Sequence, residues 1–345
     1  MALRPKRLLK KLGLSLASLA VVGGGLELFA RAQEPGPFSL FDRFPYFDSE
    51  TDGHWRHLPG FRGRWDSTWY EIDDRGLRGV VPLPTDAENE LRVVCIGDSC
   101  TFGKGVLEEA SWPRQLEARL AAGGAAAQVY NLGINGAYGE VYSNVLAEHA
   151  DARRPHFVVG GYNLNDFPNA LRTIDEKVFR QRGLRSLIPQ SVRDSLGRLA
   201  LYRWVRAEYY DRQKAKDMAA SESLASAASE GAETNGEAWK AERAHLESIR
   251  DRAREHGART VVFLFPYESQ VLLEEFDRRP IERIRGLCDE LGLPFVDLAE
   301  EFRREARAAD PMRRLFIKGD RYHPNPYGYG IVADRVQALI AELGR

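Results

Sequence analysis

Ser99, Asp320 and His323 have the residue types and local surroundings that nucleophilic catalysis requires. The apolar run RVVCIG leads straight into Gly97-Asp98-Ser99-Cys100-Thr101-Phe102-Gly103. A serine between a strand end and a helix start meets unpaired backbone N–H groups, which can donate to a developing oxyanion. Alone, Gly-Asp-Ser serves equally well as a helix cap. Near the C-terminus stands Gly319-Asp320-Arg321-Tyr322-His323-Pro324-Asn325. An Asp three residues before a His can turn its carboxylate onto the imidazole within one loop. That orients the ring and stabilises the imidazolium formed when the His takes a serine proton. Pro324 holds His323 extended ahead of the final helix.

Two further segments can supply hydrogen-bond donors. Val129-Tyr130-Asn131-Leu132-Gly133-Ile134-Asn135-Gly136 runs from an apolar stretch into a glycine turn, where a backbone N–H can approach an oxyanion closely. Tyr162-Asn163-Leu164-Asn165-Asp166-Phe167 offers side-chain amides. Each could also be turn chemistry alone.

The elements that must position these residues alternate along the chain. RVVCIG, QVYNLG, HFVVGGY, TVVFLF and PFVDL read as short buried strands. Helical patterns cover 109–122, 140–150, 278–291 and 326–343. This order predicts an α/β fold with a parallel sheet covered by helices on both faces. Ligands in such sheets sit beyond the carboxyl ends of the strands, where all four segments fall. Ahead of the sheet, residues 33–45 read as a Pro/Gly linker. Residues 46–90 are rich in aromatics and read as short strands or an ordered arm, with Asp73-Asp74-Arg75-Gly76 as a tight turn. Between the third and fourth strands lies an insert, 172–240. Its 172–216 part carries 12 Lys/Arg against 5 acids, with Leu196, Leu199, Tyr202 and Val205 at helical spacing. Residues 217–238 are small, polar and low in complexity, the composition of disorder. The insert reads as a helical lid with a tether, or as a solvated helix pair.

Together the four segments resemble the SGNH/GDSL hydrolase superfamily of serine esterases, over about 91–171 and 258–345. The resemblance implies a flavodoxin-like three-layer α/β/α sandwich with a five-stranded parallel sheet. It implies Ser99 as nucleophile, Asp320 and His323 as its partners, and an oxyanion hole of the Ser99 N–H, the Gly136 N–H and the Asn165 side chain. Asn163 stands where the third block has glycine, which makes Asn163 and Asp166 candidate substrate contacts. Glu71–Gly79 also looks like the lead-in of an exported bacterial subgroup, with Asp73, Asp74 and Leu77 replacing its Asn, Ser and Phe. The α/β-hydrolase elbow G-x-S-x-G does not fit, because Thr101 occupies its last position.

Composition narrows the setting. The 345 residues hold 49 Lys+Arg and 50 Asp+Glu, a formal charge of −1, which argues against nucleic acid as a partner. With 43% apolar residues the chain can bury a large core. Three cysteines make no disulfide framework. Cys95 and Cys288 read as core, and Cys100 points away from the serine's side. His54 and His57 form H-x-x-H without a helical pattern, so no metal is expected, and the motifs ask for no cofactor. Residues 1–11 hold five Lys/Arg and no acid, and an apolar run from Leu12 to Leu26 follows. This predicts export, either as a signal cleaved after Ala30-Arg31-Ala32 or as an anchor with Glu27 at the outer interface. The chain thus divides into a signal or anchor (1–32), a linker and arm (33–90) and a hydrolase domain (91–345). It lies outside the cytoplasm, with membrane contact through 5–30 and the basic stretch 172–216.

The expected function is an exported serine esterase cleaving short acyl groups, such as O-acetyl on an envelope carbohydrate, through an acyl-enzyme. Two alternatives stand beside it. An O-acyltransferase would use the same triad with a sugar acceptor, and a carbohydrate-binding protein would use the fold without catalysis.

Overall fold

Strand periodicity of two accounts for the centre of the molecule. In the run from Val93 to Ile96, Val93 and Cys95 face one side and Val94 and Ile96 the other, all fully buried. A strand apolar on both faces needs cover on both, and helices supply it.

The computed structural model describes residues 5–39, 46–48, 55–65, 67–79, 90–166, 190–209, 236–273, 276, 278–308, 315–320 and 322–344. The chain begins with α1 (Pro5–Ala32), followed by β1 (Tyr46–Asp48), β2 (Trp55–His57), β3 (Arg62–Trp65) and β4 (Thr68–Glu71). Next come β5 (Leu91–Gly97), α2 (Ser99–Phe102), α3 (Trp112–Ala122), β6 (Ala127–Asn131), α4 (Gly139–Arg153) and β7 (Phe157–Tyr162). The insert contributes α5 (Gln190–Gly197) and a helical segment over 200–209. The remainder is α6 (Gly236–Glu255), β8 (Arg259–Leu264), α7 (Glu268–Leu272), α8 (Arg279–Leu291), β9 (Phe295–Asp297), α9 (Ala299–Ala308) and α10 (Pro326–Leu343).

Five strands form one sheet in the order β6-β5-β7-β8-β9, and every neighbouring pair is parallel. This is the doubly wound order of flavodoxin-like folds, and the molecule is the expected three-layer α/β/α sandwich. On one face α4, α6 and α8 bury Val145, Leu246, Ile249 and Ile284 against Val94, Ile96, Val158 and Val262. On the other, α3, α9 and α10 bury Trp112, Leu116, Phe302, Val332 and Val336 against Val93, Val129, Val159 and Val261. Each such side chain contributes roughly 1.5–3 kcal/mol of burial.

The arm is two hairpins, β1–β2 and β3–β4. The expected turn at 73–76 closes on Asp73, whose carboxylate accepts the Arg75 and Leu77 N–H groups at 2.9 Å each. Three helices had no counterpart in the sequence reading: the short α7, α6 and α9. α6 begins at Gly236, inside the low-complexity stretch, because Trp239, Leu246, Ile249 and Ala253 form a single narrow buried stripe along it. α9 does the same with Ala299 and Phe302 amid charges. Residues 172–189 and 210–235, and with them most of the expected lid and tether, lie outside the described residues.

Candidate active site

β5 delivers Ser99 by way of a close approach that only glycine permits. A Cβ on Gly97 would lie 2.1 Å from Thr101 Oγ1 and 2.5 Å from the Gly161 carbonyl oxygen. The chain then turns directly into α2. Asp98 caps this helix by accepting the Cys100 N–H at 2.8 Å, and Gly103 ends it in the left-handed region at φ 81°. Ser99 is therefore the first residue of a one-turn helix at the carboxyl end of β5.

The loop before α10 brings in the other two groups. His323 Nε2 lies 2.8 Å from Ser99 Oγ, and His323 Nδ1 lies 2.6 Å from Asp320 Oδ2. Asp320 Oδ1 accepts the N–H groups of Tyr322 and His323 at 2.8 and 3.1 Å. The loop is tied down on both sides, Ile317 N–H donating to the His323 carbonyl and Asn325 N–H to that of Leu315. Asn325 also caps α10 through Tyr327 and Gly328. Burial pushes the Asp320 carboxyl up. The His323 ring, Lys104 and the Tyr322 N–H outweigh it and hold the group well below the usual carboxylate range.

The second segment leaves β6 along β5, with Leu132 N–H on the Cys95 carbonyl and Ile134 N–H on that of Gly97. Gly136 follows at φ 77° with open space around it, so its glycine answers to backbone conformation and not to crowding. The third segment turns after β7 as a single 3-10 turn, Leu164–Asp166, which includes the backbone of Asn165. The structure buries Asn163 and Asp166 behind the serine. Asn163 Nδ2 donates to Asp98 Oδ2 at 2.8 Å, and the Asn163 N–H donates to Asp166 Oδ2 at 2.7 Å. Burial raises the carboxyls of both Asp98 and Asp166; for Asp166 the Asp98 charge adds to the rise.

Arg78 was not singled out from sequence. It is fully buried and donates to the carbonyls of Phe102 and Val106 at 2.5 Å each, and to that of Gly103. Its guanidinium lies 4.8 Å from the centroids of both Tyr70 and Phe102. The arm thus grips the loop that follows Ser99, and Tyr70 Oη adds a bond from the Gly105 N–H at 2.7 Å. The Arg-Gly pair of the lead-in segment was the available signal. Cys100 is buried against the Tyr322 carbonyl at 3.6 Å, and burial pushes its thiol up. His57 is buried 4.3 Å from the Phe102 ring centroid, and burial lowers its pKa to about 3. His54 lies outside the described residues.

A serine, a histidine and an aspartate joined in this order at the carboxyl edge of a doubly wound parallel sheet define a serine hydrolase. The family model of GDSL-like lipases and acylhydrolases matches residues 95–331, about two-thirds of the chain. The chain belongs to that family and is a serine esterase of the acylhydrolase type. Among curated proteins no sequence matches it. Similar solved structures include TesA, 15% identical, with 73% of this chain and 99% of that chain covered and a TM-score of 0.43. The acetyl xylan esterase AlAXEase is 12% identical, with 72% and 100% covered and a TM-score of 0.44. The esterase EstA from Pseudoalteromonas sp. is 13% identical, with 73% and 97% covered and a TM-score of 0.41.

Proposed function

We propose that this chain is an exported esterase in which Ser99 is the nucleophile, His323 the general base and acid, and Asp320 the group that orients the imidazole. The reading rests on the unbroken hydrogen-bond chain from Asp320 through His323 to Ser99, at 2.6 and 2.8 Å. With Nδ1–H donating to the ionised Asp320, Nε2 accepts from the serine hydroxyl. His323 takes that proton as Oγ bonds to the ester carbonyl carbon. The N–H groups of Ser99 and Gly136 and the Asn165 side chain hold the oxyanion. Collapse breaks the ester C–O bond, His323 protonates the departing alcohol, and the acyl group stays on Ser99. Water, deprotonated by His323, then releases the acid. The scheme asks for no metal or cofactor.

Export is supported by the basic N-terminus and by Leu9–Ala32, a helix long and apolar enough to cross a membrane. An enzyme delivered there meets acylated envelope carbohydrate, and short acyl groups such as O-acetyl are the proposed substrates. The full chain in detergent is expected to hydrolyse p-nitrophenyl acetate faster than the butyrate and octanoate esters. Ser99→Ala is expected to lose activity by on the order of 10⁴–10⁶-fold, together with fluorophosphonate labelling. A folded wild-type protein with neither turnover nor label would overturn the proposal.

A further inference from the structure

The outer end of α1 is built into the body of the molecule. Both carboxylate oxygens of Glu27 accept backbone N–H groups at the start of the 200–209 helix, from Ala200 and Leu201, at 2.9 Å each. Arg31 pairs with Glu27 at 2.8 Å and donates to the Arg198 carbonyl at 2.7 Å. Just past the helix, Glu34 binds Arg203 at 2.9 Å and the fully buried Arg64 of β3 at 3.3 Å. Ala30 and Arg31, at the expected cleavage motif, are buried, and the chain stays helical through Ala32. Cleavage there would remove Glu27 and Arg31 and leave two N–H groups of the next helix without their acceptors.

The same 200–209 helix reaches the reactive loop. Ala207 lies against Gly319, where an added Cβ would come 2.7 Å from the Ala207 Cα, and Glu208 pairs with Lys318. Lys318 and Gly319 directly precede Asp320. Ala200, Arg203 and Ala207 share the helix face turned to the protein. The other face is apolar and open, with Trp204 54% and Val205 51% exposed.

The apolar run Leu12–Leu26 rises about 22 Å at 1.5 Å per residue, and it spans the ~30 Å hydrocarbon core of a bilayer when Lys10 and Lys11 snorkel to the inner interface. Glu27 then falls at the outer boundary, and a helix capped by Glu27 starts at that boundary. An exposed tryptophan face on such a helix has the composition of an interfacial segment. Arg198 and Arg206 flank the Trp204/Val205 face in sequence and bring positive charge that anionic headgroups attract. On α1, Leu28 and Phe29 also stay exposed beyond Glu27.

We propose that α1 is retained as an anchor and that the Trp204/Val205 face rests in the headgroup region of the same bilayer's outer leaflet. The loop bearing Asp320 and His323, packed on the opposite face of that helix at Ala207, is thereby held one helix diameter, ~10 Å, above the headgroups. Esters presented at that surface are the ones within reach. The inference rests on the reading of α1 as an export segment and is independent of the chemistry at Ser99.

The test uses the full chain, whose cysteines Cys95, Cys100 and Cys288 are all buried. A single NBD label is placed by Val205→Cys, by Trp204→Cys as a second probe, and by Lys240→Cys on the exposed side of α6 as reference. Each protein is reconstituted in phosphatidylcholine–phosphatidylglycerol vesicles containing a shallow spin-labelled lipid. The expected result is an intact N-terminus by mass, lipid quenching at 204 and 205, and iodide quenching at 240 only. A mature chain beginning at Gln33 would overturn the anchor and the interface together. An intact chain whose 204 and 205 labels are as open to iodide as the 240 label would overturn the interface. Lipid quenching in a protein that turns over no ester would still support the interface and would count against the esterase reading alone.

Discussion

The Asn163 side-chain amide donates to Asp98 Oδ2 at 2.8 Å, joining two buried loops 65 residues apart in the chain. Asp98 Oδ2 also lies 3.2 Å from Ser99 Oγ. The serine hydroxyl has one proton and two acceptors in reach, Asp98 and His323. A donor from Asn163 reduces the demand of Asp98 for that proton. Asn163→Ala is expected to leave a buried carboxylate one donor short, costing about 1–3 kcal/mol. It should also lower kcat by about tenfold, a 1.4 kcal/mol effect, with KM little changed. Denaturant melts and p-nitrophenyl acetate kinetics read both; unchanged values in both would refute the role.

Asp320 carries a pH signature. Its folded pKa is depressed below the unfolded value. The stability it contributes is therefore present above an unfolded pKa of about 4, and is lost as pH falls toward the folded value. Melting temperatures of wild type and Asp320→Asn should differ most at neutral pH and converge below about pH 4. In kinetics, Asp320→Asn is expected to cost on the order of 10⁴-fold in kcat. A stability difference that grew on acidification would contradict the pairing.

Arg78 should resist conservative replacement. Its planar fork serves three carbonyls while lying over two rings. Lysine has the charge but neither the fork nor the stacking surface. Arg78→Ala is expected to destabilise by about 3–5 kcal/mol, the cost of breaking a buried polar network. Arg78→Lys should recover less than half of that. Full recovery by lysine, measured by urea melts, would show that charge alone matters.

Gly97 tests the approach to the serine. In Gly97→Ala the new Cβ must displace both the Thr101 side chain and the Gly161 carbonyl. Overpacking of this kind costs about 1–3 kcal/mol, and here the strain falls on the residue before Asp98-Ser99. Fluorophosphonate labelling of Ser99 should slow more than the melting temperature falls. Labelling at the wild-type rate would show that the turn accommodates the methyl group.

The sequence by itself determined the five strands, the closing helix and the three residues of the hydrogen-bonded chain. Val93–Ile96 and Val158–Val159 are apolar on both faces over a few residues, and Asp320 and His323 share one loop. Such signals are local, and local patterns survive in one dimension. The tertiary structure alone decided that Asn163 serves Asp98, that Arg78 grips the loop at 102–106, and that Glu27 caps the helix at Ala200. α6 and α9 also became legible only there, because a narrow apolar stripe among charges defines a helix once a sheet face is present to receive it. In each case one partner is a buried polar or charged group that must be matched by a donor or acceptor wherever the fold can bring one. Sequence periodicity records which side of an element is apolar. It does not record which distant residue will satisfy a polar group left inside.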